Sequence, residues 1–445
     1  LEKSHQDLQK GLLPRHVQFI ALAGMIGTGI FKGSSDTLNI AGPSVALAYL
    51  LGGLLLLIVM TALAEMAIAY PNLNVQHLVH KAFGNRISFI IGWLYWINWI
   101  LVTIVEILAA GSFLKYWFPS QPLWLLAFFC AALIVGMNLF QVKYYGEIEF
   151  WFAGIKIITL IAFIVLGIAI LCGIIPSSAA SFSNYTAHGG FFPNGISGMM
   201  SALLIVMFSY GGAELIGVAV TETKDSHKVL PKIIKNTVWR VITFYVIPIL
   251  LICGIMPWNK VSGEESPFVQ VFGITGLPGA AHIMNFVLLT AVLSAANSGI
   301  YATSRTLYSM AQSGEAPIRL MKVSRQGIPL NAIIITAACI VIGLFLAYMT
   351  PEQVISYLMT IPGFTILIIW TSICLAQLKL RPQYNKKPSF EVKWFPFTTI
   401  IAVVSLSIIF ISFLFRTDNL IGTLVCLAIL LLLTVLSFSK QVNSR

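Results

Sequence analysis

The chain has 445 residues, 58% of them hydrophobic and 10% charged, with a mean hydropathy of +0.89 and a formal net charge of +11. A water-soluble domain of that size needs more polar surface than this composition supplies, so lipid is the expected solvent. The basic excess is interspersed among long apolar runs, which excludes a nucleic-acid surface as its main purpose.

Crossing the hydrocarbon takes about 20 mainly apolar residues. In chain order, such runs lie at roughly 16–40, 43–70, 87–117, 121–142, 148–173, 197–222, 232–256, 280–312, 330–349, 352–378, 394–416 and 418–438. They predict an all-α integral membrane protein with twelve transmembrane helices. The runs are continuous and lack the ten-residue alternation of a membrane β-barrel. No long polar linker divides them, so 1–445 reads as a single membrane transport domain. The polar start of the chain has no cleavable signal pattern, so the first span is retained.

Most of the 27 Lys and Arg fall on the same side as the N-terminus once the spans alternate, with clusters at Lys3 to Arg15, Lys224 to Arg240, Arg319 to Arg325 and Lys379 to Lys393. The opposite loop 174–195 has none. This positive-inside asymmetry predicts a multi-pass protein of the cytoplasmic membrane with both termini cytoplasmic. Cys130, Cys172, Cys253, Cys339, Cys374 and Cys426 show no paired spacing and read as small packed or lipid-facing side chains.

Two runs carry glycine clusters near their middles: Gly24-Met25-Ile26-Gly27-Thr28-Gly29 in the first, and Phe208-Ser209-Tyr210-Gly211-Gly212-Ala213-Glu214 in the sixth. Each is expected to unwind its helix. They lie about 185 residues apart and each opens a group of five spans, so the two groups have opposite orientation. Paired interruptions in corresponding positions point to an inverted-repeat transporter with its site at midplane. The repeats would cover 16–173 and 197–378, with 394–438 supplying two C-terminal helices. Close helix packing through small residues is the alternative use of such glycines.

An unwound membrane helix must have its freed backbone groups satisfied by protein or a hydrated cavity. The amides of Gly27, Thr28 and Gly29 would sit at the positive end of a helix dipole and suit a carboxylate. Carbonyls near Met25, and those freed around Phe208, Ser209, Tyr210 and Gly211, would suit an ammonium. A zwitterionic amino acid fits both sets. A nucleotide-cradling loop is disfavoured, because no strand precedes the glycines and no GK[ST] follows.

Glu65, Glu106, Lys156 and Glu214 fall at membrane depth, where each ionised group costs several kcal/mol unless paired or hydrated. Lys156 either snorkels to the interface or alternates between charged and neutral forms during transport. Glu214 would hold unwound backbone or a proton, Glu106 would line the cavity, and Glu65 reads as structural. Phe208 and Tyr210 flank the second break, where a ring could lid a substrate. His77 and His80 read as a solvated loop pair, with no metal site implied. No catalytic triad, H-E-x-x-H motif or paired catalytic carboxylates are present, so neither an enzyme nor a cofactor is expected.

The segments GLLPRH from Gly11, IALAGMIGTGIF from Ile20, AGPSVALAYLLGG at 41–53, AEMA at 64–67, SYGGAELIGVAVTETKD from Ser209 to Asp225 and LTAVLSAANSGIYATSRTLYSMAQSGEAP from Leu289 to Pro317 resemble the amino acid transporter family of the amino acid–polyamine–organocation superfamily. The resemblance implies the leucine-transporter-like 5+5 inverted repeat. It also implies that Gly27, Thr28 and Gly29 hold the substrate carboxylate, that carbonyls near Met25 and Phe208 hold its amine, and that Phe208 is a gating aromatic with Glu214 as a gate or network carboxylate. Glu106 matches an acidic position of the third span, and Lys156 matches the lysine that replaces sodium in proton-dependent relatives. Proton symport is the implied coupling. The sequence departs from the family's P-x-x-G-S after the second span, reading Pro71-Asn72-Leu73-Asn74-Val75-Gln76.

The resulting expectation is a permease whose partners are an amino acid substrate, a proton and membrane lipid. Ser294, Ala295 and Ala296, with neutral Met25, lean towards a small neutral L-amino acid of the alanine, serine, threonine and glycine class. Acidic Glu106 and Glu214 leave a cationic substrate open, and a 4-aminobutyrate permease or an exchanger of the same fold also stays open. A channel and a membrane-embedded enzyme are the competitors from other classes.

Overall fold

The computed structural model describes residues 13–71, 73–140, 142–219, 226–262, 265–274, 279–324, 327–349, 351–386, 388–415 and 420–438. The basic positions Lys3, Lys10, Lys224 and Arg325, Gly11 and Leu12 of the GLLPRH segment, Asn72 of the departing loop, and 220–225 of the motif from Ser209 lie outside them. Among the described residues the regular structure is entirely helical. Nine helical stretches there are long and apolar enough to cross a bilayer, and Leu123–Met137 and Ile242–Ile255 are shorter apolar helices.

The first predicted span is three pieces: α1 (Pro14–Met25), α2 (Thr28–Phe31) and α3 (Gly33–Ala41). There follow α4 (Val45–Ala69), a short α5 (Val75–Phe83), α6 (Asn85–Lys115), α7 (Leu123–Met137) and α8 (Val142–Leu171). The sixth predicted span is divided into α9 (Gly195–Tyr210) and α10 (Leu215–Ala219), after which come α11 (Ser226–Ile255), α12 (Pro267–Ile274) and α13 (Ala280–Gln312). The chain continues through α14 (Leu330–Met349), α15 (Pro351–Leu380), α16 (Phe397–Leu414) and α17 (Leu420–Ser437).

Burial follows this arrangement. The region around the breaks is formed by α1, α2, α9 and α10, enclosed by α4, α6, α8, α11, α13 and α15. The mid-portion of α13 is buried all round, whereas α16 and α17 expose broad apolar faces. On α8 one side exposes Trp151, Ile158 and Val165 at 63–69%, while Glu149, Ala153, Lys156, Leu160 and Phe163 are buried on the other. In water such a surface would aggregate; in a bilayer it meets acyl chains, and the polar residues face the protein.

Two expectations need correction. The fourth run, expected over 121–142, forms a helix only over Leu123–Met137. His77 and His80 do not sit in a solvated loop. Asn74 caps α5 by accepting the His77 amide at 2.9 Å, and Val75, Gln76, Leu78, Val79 and Ala82 bury one face of that helix, carrying both histidines into a half-buried network.

Candidate functional site

The site begins where two helices stop. After Met25 the backbone leaves the helix at Ile26 and Gly27, and helix resumes at Thr28. After Tyr210 the chain turns through 211–214 before Leu215. The interruptions touch. A Cβ added to Gly212, whose φ is +106°, would lie 2.7 Å from the Gly24 carbonyl carbon, and one added to Gly29 would lie 2.6 Å from Ser209 Cα. Glycine at these points permits a backbone approach that any side chain would prevent.

The freed backbone groups have identifiable partners. The Thr28 N–H donates to Glu106 Oε1 at 3.0 Å, and its hydroxyl donates to the same oxygen at 2.8 Å. At the second break the Gly212 N–H donates to the Glu214 carboxylate at 3.1 Å, and Trp370 Nε1 approaches that carboxylate at 3.5 Å. A buried glutamate therefore receives an amide hydrogen at each break. The carbonyls share a different partner: Tyr245 Oη on α11 lies 2.6 Å from the Met25 oxygen and 2.9 Å from the Ser209 oxygen, so one hydroxyl joins both interruptions.

A cavity lies between them. Its walls include Met25 and Gly29 from the first break, Phe208, Ser209 and Gly211 from the second, and Asn98, Trp99 and Glu106 from α6, with Pro362 and Ile366 of α15 closing it. Of the residues singled out from sequence, Met25, Gly29, Glu106, Phe208, Ser209 and Gly211 are brought together here. Gly27 and Thr28 stand behind the Glu106 carboxylate, and Tyr210 turns away to donate its hydroxyl to the Tyr49 carbonyl at 2.7 Å. The free volume is about 20 Å³, room for roughly one water. Admitting anything larger requires the surrounding helices to separate.

Lys156 does not line this cavity. It is fully buried on α8, which removes the snorkelling alternative, and its charge acts on Glu149 and Glu106. Glu149 was not anticipated, although it precedes Lys156 by two helical turns on the same face. Asn98 and Trp99 were also missed; Asn98, Val102 and Glu106 form an i, i+4, i+8 row on α6, with Trp99 beside it, that is legible once Glu106 is taken to face inward. Tyr245 had no local signal. Glu65 accepts from Gln377 at 3.0 Å, Arg381 at 3.2 Å and the Val392 amide at 2.6 Å, a structural junction between α4 and the segment after α15.

A second polar cluster joins the end of α13 to α5, with His77, His80 and Glu315 outside the apolar spans. Asn74 Nδ2 donates to Ser309 Oγ at 2.8 Å, Ser309 donates to Gln76 at 3.0 Å, and the Gln76 amide donates to the buried Glu315 carboxylate. His80 Nδ1 lies 3.5 Å from Glu315, and His77 Nε2 lies 3.5 Å from Ser309. Burial holds the His77 imidazole below its usual range, and His80 adds to the effect. Burial raises the Glu315 carboxyl, opposed by hydrogen bonds from Ser88, Gln76 and His80 and by the charge of His80. Among the described residues no cluster of His, Cys, Asp and Glu is arranged to hold a metal.

The family model described as amino acid permease matches residues 16–440. An uncharacterized amino acid permease of Bacillus subtilis (strain 168), YvbW, is 42% identical over 438 residues, 98% of each chain. The gamma-aminobutyric acid permease of the same organism is 37% identical over 454 residues, covering 100% of this chain and 97% of its own. Its amino-acid permease AapA is 37% identical over 437 residues, 97% and 95% of the two chains.

Proposed function

The chain belongs to the amino acid permease family, a family of multi-pass membrane transporters, and from that premise we propose that it imports a small neutral L-amino acid across the bacterial cytoplasmic membrane by proton-coupled alternating access. The observation carrying this reading is the contact of two helix interruptions around one cavity walled by Met25, Gly29, Phe208, Ser209 and Gly211.

In this reading twelve spans form two inverted groups of five followed by two further helices, with both chain ends cytoplasmic. The substrate carboxylate is received at Gly29, one of the leading amides of a helix that lack intrahelical acceptors, with Gly27 and Thr28 beside it. The ammonium meets carbonyls of Met25 and Phe208, which end α1 and α9 at the negative poles of their dipoles. Phe208 covers the bound molecule. Helices carrying the breaks then rock against their surroundings to expose the cavity on alternate sides.

Lys156 supplies the coupling. When protonated it is attracted to Glu106, which holds the start of α2 through Thr28; on losing its proton it releases that attraction and favours the inward-open arrangement. The test is counterflow and pH-gradient-driven uptake in proteoliposomes with each common amino acid. Small neutral substrates should exchange, a gradient should accelerate uptake by the unaltered protein, and Lys156→Ala should abolish that acceleration. Acceleration surviving in Lys156→Ala refutes the coupling role, and failure of every small neutral amino acid to exchange refutes the substrate class.

The relative named as a gamma-aminobutyric acid permease, together with Glu106 on the cavity wall, favours a second reading in which the carried molecule has a more distant ammonium. Competition between 4-aminobutyrate and L-alanine separates the two.

A further inference from the structure

Glu149 is a buried carboxylate that does not line the amino acid cavity. It lies on the inward row of α8 with Ala153 and Lys156, one turn and two turns along. Helical side chains lean towards the helix N-terminus, so the Lys156 stem is directed back towards Glu149. The hydrogen bonds that the Glu149 carboxylate receives form a cradle. Ser294 Oγ donates to Oε2 at 2.6 Å and Asn297 Nδ2 to Oε1 at 2.5 Å, both from α13. Asn138 Nδ2 donates to Asn297 Oδ1 at 2.6 Å, which fixes Asn297 with its amino group towards the carboxylate.

This cradle serves both protonation states. Around the carboxylate, Ser294 and Asn297 donate. Around the acid, the Ser294 hydroxyl turns to accept from an Oε2–H while Asn297 continues to donate to Oε1, because a hydroxyl both gives and takes a hydrogen bond. A purely structural tie between α8 and α13 would not need a charge, and burying a lone carboxylate is costly in the membrane. The titratable and charged groups on the elements packed around Glu149 include Lys143, Tyr145, Glu147 and Lys156 on α8, Glu106 on α6, Tyr301, Arg305 and Tyr308 on α13, Arg15 and His16 on α1 and Tyr245 on α11.

We propose that Glu149 accepts the transported proton from Lys156 and passes it to water at the inner end of α8. In the first step a Lys156 Nζ–H bond breaks, its electron pair stays on nitrogen, and an O–H bond forms on Glu149: ammonium and carboxylate become amine and carboxylic acid. In the second the acid transfers that proton to a water molecule, which leaves as hydronium and restores the carboxylate. Glu147, two residues before Glu149 and on the opposite side of α8, is half-exposed and holds Arg15 at 2.5 Å and His16 at 3.1 Å, so the end of α8 beside Glu149 reaches water. This assignment rests on Lys156 being the coupling group.

The test uses full-length protein in vesicles containing pyranine, with an equimolar mixture of labelled L-amino acids as the probe, so that proton and amino acid entry are read together. Glu149→Gln should keep counterflow within about threefold of the unaltered protein while protons carried per amino acid fall about tenfold or more, and Glu149→Asp should restore most of the proton movement. Glu149→Gln carrying protons at the unaltered ratio overturns the proposal. Loss of counterflow by Glu149→Gln and Glu149→Asp alike, with a lowered melting temperature, also overturns it and makes Glu149 a structural tie. If the unaltered protein exchanges amino acids but moves no protons, the coupling reading itself fails, an outcome distinct from the other two.

Discussion

Replacing Tyr245 by Phe removes one oxygen from the point where the two interruptions meet. The ring stays packed beside Tyr49 and Tyr210, at centroid distances of 5.8 and 4.8 Å, so the loss is confined to the hydroxyl. The Met25 carbonyl keeps a partner, the Gly27 N–H at 3.1 Å. Ser209, among the last four carbonyls of α9, keeps no intrahelical donor and bears the penalty. An unsatisfied buried acceptor costs about 1–3 kcal/mol, against about 0.5–1.5 kcal/mol for an ordinary hydrogen bond. Tyr210→Phe is the internal control, since it removes a hydroxyl that donates to the Tyr49 carbonyl, within a continuous helix, and not to a carbonyl of either break. Thermal unfolding in detergent should show a larger loss for Tyr245→Phe than for Tyr210→Phe. Counterflow should show a raised half-saturating concentration for Tyr245→Phe alone. Equal effects of the two changes in both assays would refute the assignment of Tyr245 as the clamp on the breaks.

Gly29→Ala places a Cβ against Ser209 Cα, a backbone atom that cannot swing aside; overpacking of about 1–3 kcal/mol then falls on the contact between the breaks, and uptake should be lost while the protein still reaches the membrane. Glu106→Gln leaves Thr28 an oxygen acceptor but removes a negative charge from the start of α2, an effect of about 0.3–2 kcal/mol, so a modest fall in melting temperature should accompany a larger loss of gradient-driven uptake. For His77 the folded value is depressed below the ordinary 6.5, so its stabilising contribution is complete above 6.5 and is lost as pH falls through the depressed folded value. Melting temperatures taken from about pH 7.5 down to about 5.5 should therefore decline less steeply in His77→Gln than in the unaltered protein, and an unchanged slope would remove His77 from the network. Glu315 has the opposite sign, its contribution being complete below the ordinary 4.5 and lost as pH rises through the raised value, so the two groups are separable by substitution.

The interruptions were legible because the two glycine clusters fall in corresponding positions of two apolar runs, and the structure breaks helix at 26–27 and 211–214. What fills those breaks was not legible. Glu106 reaches Thr28 across 78 residues, and Tyr245 reaches Met25 across 220, separations over which local pattern carries no information. Glu149 was overlooked because it stands at the edge of its apolar run, where a carboxylate ordinarily meets water; only the buried row shared with Lys156 draws it inside. The histidine pair was misread for a related reason. Asn74 looked like part of a polar loop, yet a capping residue followed by Val75, Leu78, Val79 and Ala82 describes a short amphipathic helix. Composition identified the solvent, and spacing located the breaks. Long-range contacts decided which polar groups serve them.

A density map of the purified protein saturated with its best counterflow substrate, compared with one prepared without it, addresses the binding mode. A small amino acid should appear between Gly29 and Ser209, its carboxylate at the Gly29 amide and its ammonium at the carbonyls of Met25 and Phe208. A substrate bound elsewhere, with no added density between the two interruptions, would contradict this reading of the molecule.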